Sequence, residues 1–218
     1  MHEERKEVKT NRALFISFEG IDGSGKSTQV QMLYHYLLNS GHVAHLFREP
    51  GGTAISEKIR SILLDKANTE MTPTTEVLLY YASRNQLMTE KVLPALSRGE
   101  IVLMDRFVDS SFAYQGVGRG LGKRPLNFLT KFATGGKKPE LTVLVDLPLE
   151  TAEDRLSNKT LDRFESESRA FKERVRQGYL YLAKREPDRY LVLDGRLPPE
   201  EIFGVIKKRM NQLLGISD

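Results

Sequence analysis

Residues 20–27, Gly-Ile-Asp-Gly-Ser-Gly-Lys-Ser, satisfy the pattern G-x-x-x-x-G-K-[ST] directly after the apolar stretch 13–18. A strand that ends in a glycine-rich turn and opens a helix aims successive backbone N–H groups at one anion and adds the positive end of the helix dipole. Few short patterns restrict a fold as tightly. In that geometry Gly20, Ile21, Asp22, Gly23, Ser24, Gly25, Lys26, Ser27 and Thr28 form a cradle for nucleotide phosphates. Lys26 reaches the β- and γ-phosphates, and the Ser27 hydroxyl faces Mg²⁺.

Further apolar runs with strand character lie at 43–47, 101–104, 141–145 and 190–193, separated by helical patterns. The segment 27–40 carries Val30, Leu33, Tyr34, Leu37 and Leu38 at helical spacing and stops at Gly41, suited to a left-handed cap. Thr72-Pro73 opens a long helix through Leu78, Leu79, Ala82 and Leu87, which Pro94 and Gly99 end or kink. Segments 166–185 and 199–214 read as helices as well. Strands alternating with helices predict an α/β fold of the P-loop NTPase type: a three-layer sandwich whose five-stranded parallel sheet is flanked by helices, with ligands beyond the carboxyl ends of the strands. The 218 residues suit a polar N-terminal tail over 1–12 and a single domain over 13–214.

Composition removes several chemistries. There is no cysteine, which excludes disulfides, cysteine-based zinc sites and thiol nucleophiles. The net charge of +4, from 33 basic and 29 acidic residues, includes no basic block long enough for a nucleic-acid arm, so no nucleic-acid partner is expected. The charged start MHEERKEVKTNR and the short apolar runs after it predict a cytoplasmic protein with no membrane partner. His42 and His45 fall in a predicted strand on opposite faces, which argues against a shared metal. The glycine-rich, basic stretch 116–124 reads as a flexible active-site loop.

A carboxylate, Asp105, ends the buried run 101–104, the arrangement by which P-loop proteins orient Mg²⁺ from a strand end. Arg106 follows it. The chain therefore shows Phe18-Glu19-Gly20-Ile21-Asp22-Gly23-Ser24-Gly25-Lys26-Ser27-Thr28, Arg48-Glu49-Pro50-Gly51-Gly52-Thr53, Asp105-Arg106-Phe107-Val108-Asp109-Ser110-Ser111-Phe112-Ala113-Tyr114-Gln115-Gly116 and Leu161-Asp162-Arg163-Phe164-Glu165. In order and spacing these four segments resemble the thymidylate kinases, which transfer the γ-phosphoryl group of ATP to dTMP. The resemblance spans residues 13–210.

The resemblance implies ATP as donor, dTMP as acceptor, Mg²⁺ as cofactor, a place in dTTP biosynthesis and a homodimer. An acceptor phosphate in line with the γ-phosphate calls for guanidinium groups, and Arg48, Arg84 and Arg106 are candidates. By resemblance Arg106 meets the acceptor phosphate and Arg84 the base or phosphate side. Tyr80 stands where relatives place a phenylalanine against the base, while Tyr81 reads as core. Ser111 and Gln115 match positions at the base edge, Asp22 and Tyr114 positions near the sugar, and Glu49 and Arg60 positions lining the same pocket. Ser27 and Asp105 are the metal candidates.

The transition state needs a cation besides Lys26. One branch of the family carries it as an arginine inside the P-loop. Here the variable positions are Ile21, Asp22, Gly23 and Ser24, so the resemblance points to the branch with basic residues on a lid, at about 155–168, where Arg155, Lys159 and Arg163 are the bases. Two other readings stay open on sequence alone: a different P-loop nucleoside or nucleotide kinase, and a nucleotide-switch GTPase. The second is disfavoured because Asn158-Lys159-Thr160-Leu161-Asp162 has one residue too many for a guanine-reading Asn-Lys-x-Asp.

Overall fold

The computed structural model describes residues 13–157 and 162–216. Among them five strands, Leu14–Glu19 (β1), Ala44–Arg48 (β2), Ile101–Asp105 (β3), Leu141–Asp146 (β4) and Tyr190–Asp194 (β5), form one parallel sheet in the order β2-β3-β1-β4-β5. Every residue of β1 is buried, as expected of a strand covered on both faces and written as a continuous apolar run. β1 lies between β3 and β4; the connection from β1 runs to β2 on one side and that from β3 runs to β4 on the other, which opens a crevice at the carboxyl ends of these two neighbouring strands, β1 and β3. The register sets Phe18 beside Asp105 and Glu19 beside Leu144, which brings the P-loop and the Asp105-Arg106 turn to one edge.

The helix Lys26–Asn39 (α1) starts inside the P-loop and turns Val30, Leu33 and Leu37 onto the sheet, where they meet Ile202, Ile206 and Met210 of the last helix, Pro199–Leu214 (α9). The opposite face is covered by Pro73–Leu87 (α3) with the turns after it and by Arg169–Arg185 (α8). Between these lie Ala54–Leu64 (α2), Leu93–Ser97 (α4), Val108–Ser111 (α5), Lys123–Thr134 (α6) and Leu149–Leu156 (α7).

Four sequence expectations change. The long helix opened by Thr72 gives way at Leu87 to a π-helical turn, Met88–Val92, before α4, because Pro94 has no N–H to continue an α-helical ladder. The helix expected from residue 166 starts at Arg169, since the Ser168 hydroxyl accepts from Phe171 N–H at 3.2 Å and caps it there. The stretch 116–124 is a loop only over residues 119–122, where Gly120 and Gly122 have φ +76° and +74°. Gly116 and Gly118 belong to the buried π-helical segment Phe112–Gly118, and a side chain at 118 would meet the Phe171 ring at 2.7 Å, so glycine there permits close packing on α8. His42 precedes β2 rather than lying in it, and His45 pairs with Glu100 at 2.7 Å.

Candidate active site

The P-loop backbone requires its glycines. Gly20 has φ +143°, and a β-carbon there would lie 2.6 Å from the Val145 carbonyl oxygen; Gly25 has φ +95° at the mouth of α1. Residues 23–28 then line a cleft of about 1010 Å³ whose far wall is Arg155, Leu156, Gly195, Leu197, Pro199 and Ile202. Gly20 and Ile21 do not face this cleft: Ile21 packs with Leu144, Leu147 and α8. The Lys26 side chain is buried, and desolvation together with Arg106 lowers its pKa against the pull of Asp22, 3.5 Å away. Ser27 Oγ–H donates to Asp105 Oδ2 at 2.5 Å, so the two oxygen groups named for the metal converge at the strand end.

A second cleft, about 540 Å³, opens beside the first and is lined by Asp22, Glu49, Arg60, Tyr80, Arg84, Arg106, Ser111, Tyr114 and Gln115, together with Pro50, Leu64, Ser110, Asp162 and Phe164. Nine residues assigned to the acceptor by sequence thus come together. Arg48 does not join them. Its guanidinium is exposed, donates to both carboxylate oxygens of Glu57 at 3.0 Å and lines the shallow cleft that contains Ser27 and Asp105.

Three buried atoms on this pocket have no hydrogen-bond partner among the described residues: Arg84 Nη1, Glu49 Oε1 and Ser111 Oγ. A buried donor or acceptor left unpaired costs about 1–3 kcal/mol, so these atoms mark where a polar ligand would be held. Arg84 is oriented by Glu49, which accepts from its Nε at 2.7 Å, and by the Phe107 carbonyl at 3.2 Å. Burial raises the Glu49 pKa although Arg84 opposes it. Arg60 donates to the Pro50 carbonyl at 2.8 Å. Tyr80 lines the pocket and meets Phe164 edge-on at 5.8 Å, whereas Tyr81 is buried in the core beside Val77 and Leu126.

Arg106 sits at the junction of the clefts with φ +73°, the one positive value among described non-glycine residues, a conformation costing on the order of 1–3 kcal/mol. Its side chain donates to Gly20 O, Tyr179 OH, Ser110 Oγ, Tyr114 OH and, at 2.5 Å, Asp22 Oδ1. Tyr114 OH donates to Asp22 Oδ2 at 3.0 Å. Desolvation alone would raise the Asp22 carboxyl, but Arg106 and Lys26 outweigh it and hold the group far below the usual carboxylate range.

The lid bases separate. Arg155 lies on α7 and donates to Gly23 O at 3.3 Å, Ser24 O at 3.5 Å and Gly195 O at 2.9 Å, against the P-loop. Arg163 points elsewhere, to Leu63 O and Glu76, each 2.8 Å away. Lys159 lies outside the described residues. The Asp162 carboxylate accepts from Phe164 and Glu165 N–H at 2.8 and 2.9 Å, a local turn that carries Phe164 over the pocket.

Sequence reasoning missed Glu19, Glu76 and Arg119. Glu19 Oε1 accepts from Phe107 N–H at 2.8 Å and Oε2 from Ser110 Oγ at 2.6 Å, which fixes the turn carrying Arg106. Its β1 position reads as the last residue before the P-loop and nothing more. Glu76 reads as an acidic residue in a helix's first turn, a common dipole-compensating choice, so only tertiary structure shows that it is buried with Arg119 and Arg163.

A profile of the thymidylate kinase family matches residues 18–206. A thymidylate kinase of Caldanaerobacter subterraneus subsp. tengcongensis is 46% identical over 203 residues, covering 93% of this chain and 97% of that protein. One from Desulforudis audaxviator is 50% identical over 202 residues, covering 92% and 91%. The crystal structure of thymidylate kinase from Ehrlichia chaffeensis superposes with a TM-score of 0.74 at 30% identity, covering 91% of this chain and 98% of that one. On this match along nearly its whole length, joined to the P-loop and the pocket beside it, the chain belongs to the thymidylate kinase family.

Proposed function

We propose that this protein phosphorylates dTMP to dTDP with ATP as donor, a step of dTTP biosynthesis. The observation that carries this reading is the pocket lined by Asp22, Tyr80, Arg84, Arg106 and Gln115, which meets the P-loop at the Arg106–Asp22 pair. ATP phosphates lie along residues 23–28, with the nucleoside end toward Gly195–Pro199. In the pocket Tyr80 stacks on thymine, Arg84 Nη1 donates to O4, Ser111 and Gln115 meet the base edge, and Asp22 and Tyr114 crowd the sugar. Glu49 and Arg60 complete the walls.

A 5′-phosphate oxygen of dTMP attacks the γ-phosphorus in line, and the bond to the β-phosphate oxygen breaks to release ADP. No covalent enzyme intermediate is needed. Lys26, Arg106 and Arg155 hold the donor and acceptor charges in place, and closing residues exclude water. Ser27 and Asp105 suit Mg²⁺: both offer oxygen, and they converge at 2.5 Å. A small site of this kind fits an ion that keeps waters and substrate phosphates as ligands. When bound, the ion neutralises charge on the donor phosphates.

A homodimer is supported by an apolar surface on three neighbouring helices, where Ile55 and Ile62 of α2, Leu78 of α3 and Phe128 and Phe132 of α6 are exposed, Phe132 to 78%. No described helix is long and apolar enough to cross a membrane. The proposal places the enzyme in the cytoplasm with its nucleotide substrates and without a nucleic-acid or membrane partner. Coupled ADP release with dTMP and MgATP, repeated with excess chelator, tests the reaction and the metal; sedimentation tests the dimer.

A further inference from the structure

Glu76 is 1% exposed, yet it carries three hydrogen bonds and a further ion pair. Its Oε1 accepts from Gln115 Nε2 at 2.9 Å and Arg119 Nε at 3.2 Å; its Oε2 accepts from Arg119 Nη2 at 3.1 Å and pairs with Arg163 Nη2 at 2.8 Å. Arg119 also pairs with Glu167 at 2.6 Å. One carboxylate on α3 therefore joins the pocket residue Gln115 to the 162–168 segment that roofs the same pocket through Phe164.

The chemistry of this cluster has a direction. A carboxylate between two guanidinium groups accepts hydrogen bonds and does not donate them. The Gln115 amide must turn its –NH₂ to Glu76, because the reversed amide would set its oxygen against a carboxylate oxygen. Gln115 then offers the pocket an acceptor, Oε1. On the same pocket Arg84 Nη1, whose orientation Glu49 fixes, offers a donor. A pyrimidine with a 4-oxo group and a protonated N3 complements that pair. Cytosine, with a 4-amino group and a bare N3, meets donor with donor and acceptor with acceptor, and a pocket whose buried polar groups go unpaired rejects such an analogue strongly.

We propose that Glu76 is a positioning residue that sets acceptor-base selectivity: by fixing the direction of the Gln115 amide and anchoring Arg163 and Arg119, it tunes the pocket to a base with a protonated N3. This rests on the reading of the pocket as the dTMP site. Glu76 touches no substrate and acts through Gln115 and the segment above it.

The test compares kcat and KM for dTMP and dCMP in the unaltered enzyme and in Glu76→Gln, which keeps the side-chain volume but no longer dictates the amide direction. The expected result is a fall of at least tenfold in the dTMP-over-dCMP ratio of kcat/KM, arising mainly in KM, with the ATP KM within twofold. An unchanged ratio overturns the proposal, as does a drop in melting temperature with both acceptors weakened equally. Should Glu76→Gln not fold, dTMP methylated at N3 is the probe for the unaltered enzyme: binding at least a hundredfold weaker than dTMP supports an acceptor at Gln115, and equal binding overturns it. Tyr80→Ala, run alongside, separates the two levels. If it leaves the dTMP KM unchanged, the pocket assignment fails; if it raises KM while Glu76→Gln keeps the ratio, only the role of Glu76 fails.

Discussion

Arg106 Nη2 lies 2.5 Å from Asp22 Oδ1, and Lys26 Nζ approaches the same carboxylate oxygen at 3.5 Å. Asp22 is thus shared by the cation of the donor cradle and the arginine of the neighbouring pocket, and binding on either side is felt at this carboxylate.

The two cations should nevertheless separate kinetically. Lys26→Met is expected to abolish turnover while dTMP binding, measured by calorimetry, stays nearly intact. Arg106→Ala should weaken dTMP binding as well as turnover, by the roughly 1.5–3 kcal/mol of a charge-assisted hydrogen bond. Unchanged dTMP affinity in Arg106→Ala would remove that residue from the acceptor site.

Arg155 and Arg163 should also differ. Arg155 touches the P-loop carbonyls, so Arg155→Ala is expected to lower kcat on the order of 10³-fold with the dTMP KM little changed. Arg163 is held by Leu63 and Glu76, so Arg163→Ala should act mainly on the dTMP KM. Equal kcat losses in steady-state assays would return Arg163 to the donor phosphates.

Tyr80 separates ring from hydroxyl. Tyr80→Phe should change little, and Tyr80→Ala should raise the dTMP KM about 5- to 150-fold, the worth of an aromatic stacking contact of roughly 1–3 kcal/mol. A loss of thermal stability with normal dTMP kinetics would make the residue core.

How much of this was legible follows from where the signals lie. β1, the P-loop and α1 form one local unit whose periodicity and glycines are written in consecutive residues, and of the nine pocket residues six fall in motifs, Tyr80 and Arg84 on α3 and Arg60 on α2. Arg48 was misplaced because its motif neighbour Glu49 turns into the pocket while Glu57, a turn into α2, captures Arg48 on the other side. The π-helical turns left no periodic signature, and 116–118 read as part of the loop that follows because glycines required for packing resemble the glycines of that loop, Gly120 and Gly122, required for positive φ. Glu76 and Glu19 matter through partners distant in sequence, which no local pattern records.

Glu19 gives a stability prediction. Burial, with Asp109 adding to it, raises its carboxyl to about 7 in the folded protein, against 4.5 as the ordinary value. The folded state then binds the proton more tightly than the unfolded state, so stability falls as pH rises from 4.5 toward 7, by at most about 1.4 kcal/mol per pH unit, and levels off above. Asp22 acts in the opposite sense, only below its ordinary 3.8. Denaturant unfolding between pH 5 and 8 should show this slope, and Glu19→Gln should flatten it; an identical slope in the variant would assign it to other groups.

The most direct measurement is acceptor-dependent ADP release from MgATP over a panel of dTMP, dUMP, dCMP and thymidine. The expected result is rapid release with dTMP, weaker release with dUMP, which lacks the methyl group, and almost none with dCMP or with thymidine, which brings no phosphate to Arg106. Release that is as fast with dCMP or thymidine as with dTMP, or that proceeds without any acceptor, would contradict the assignment of this pocket.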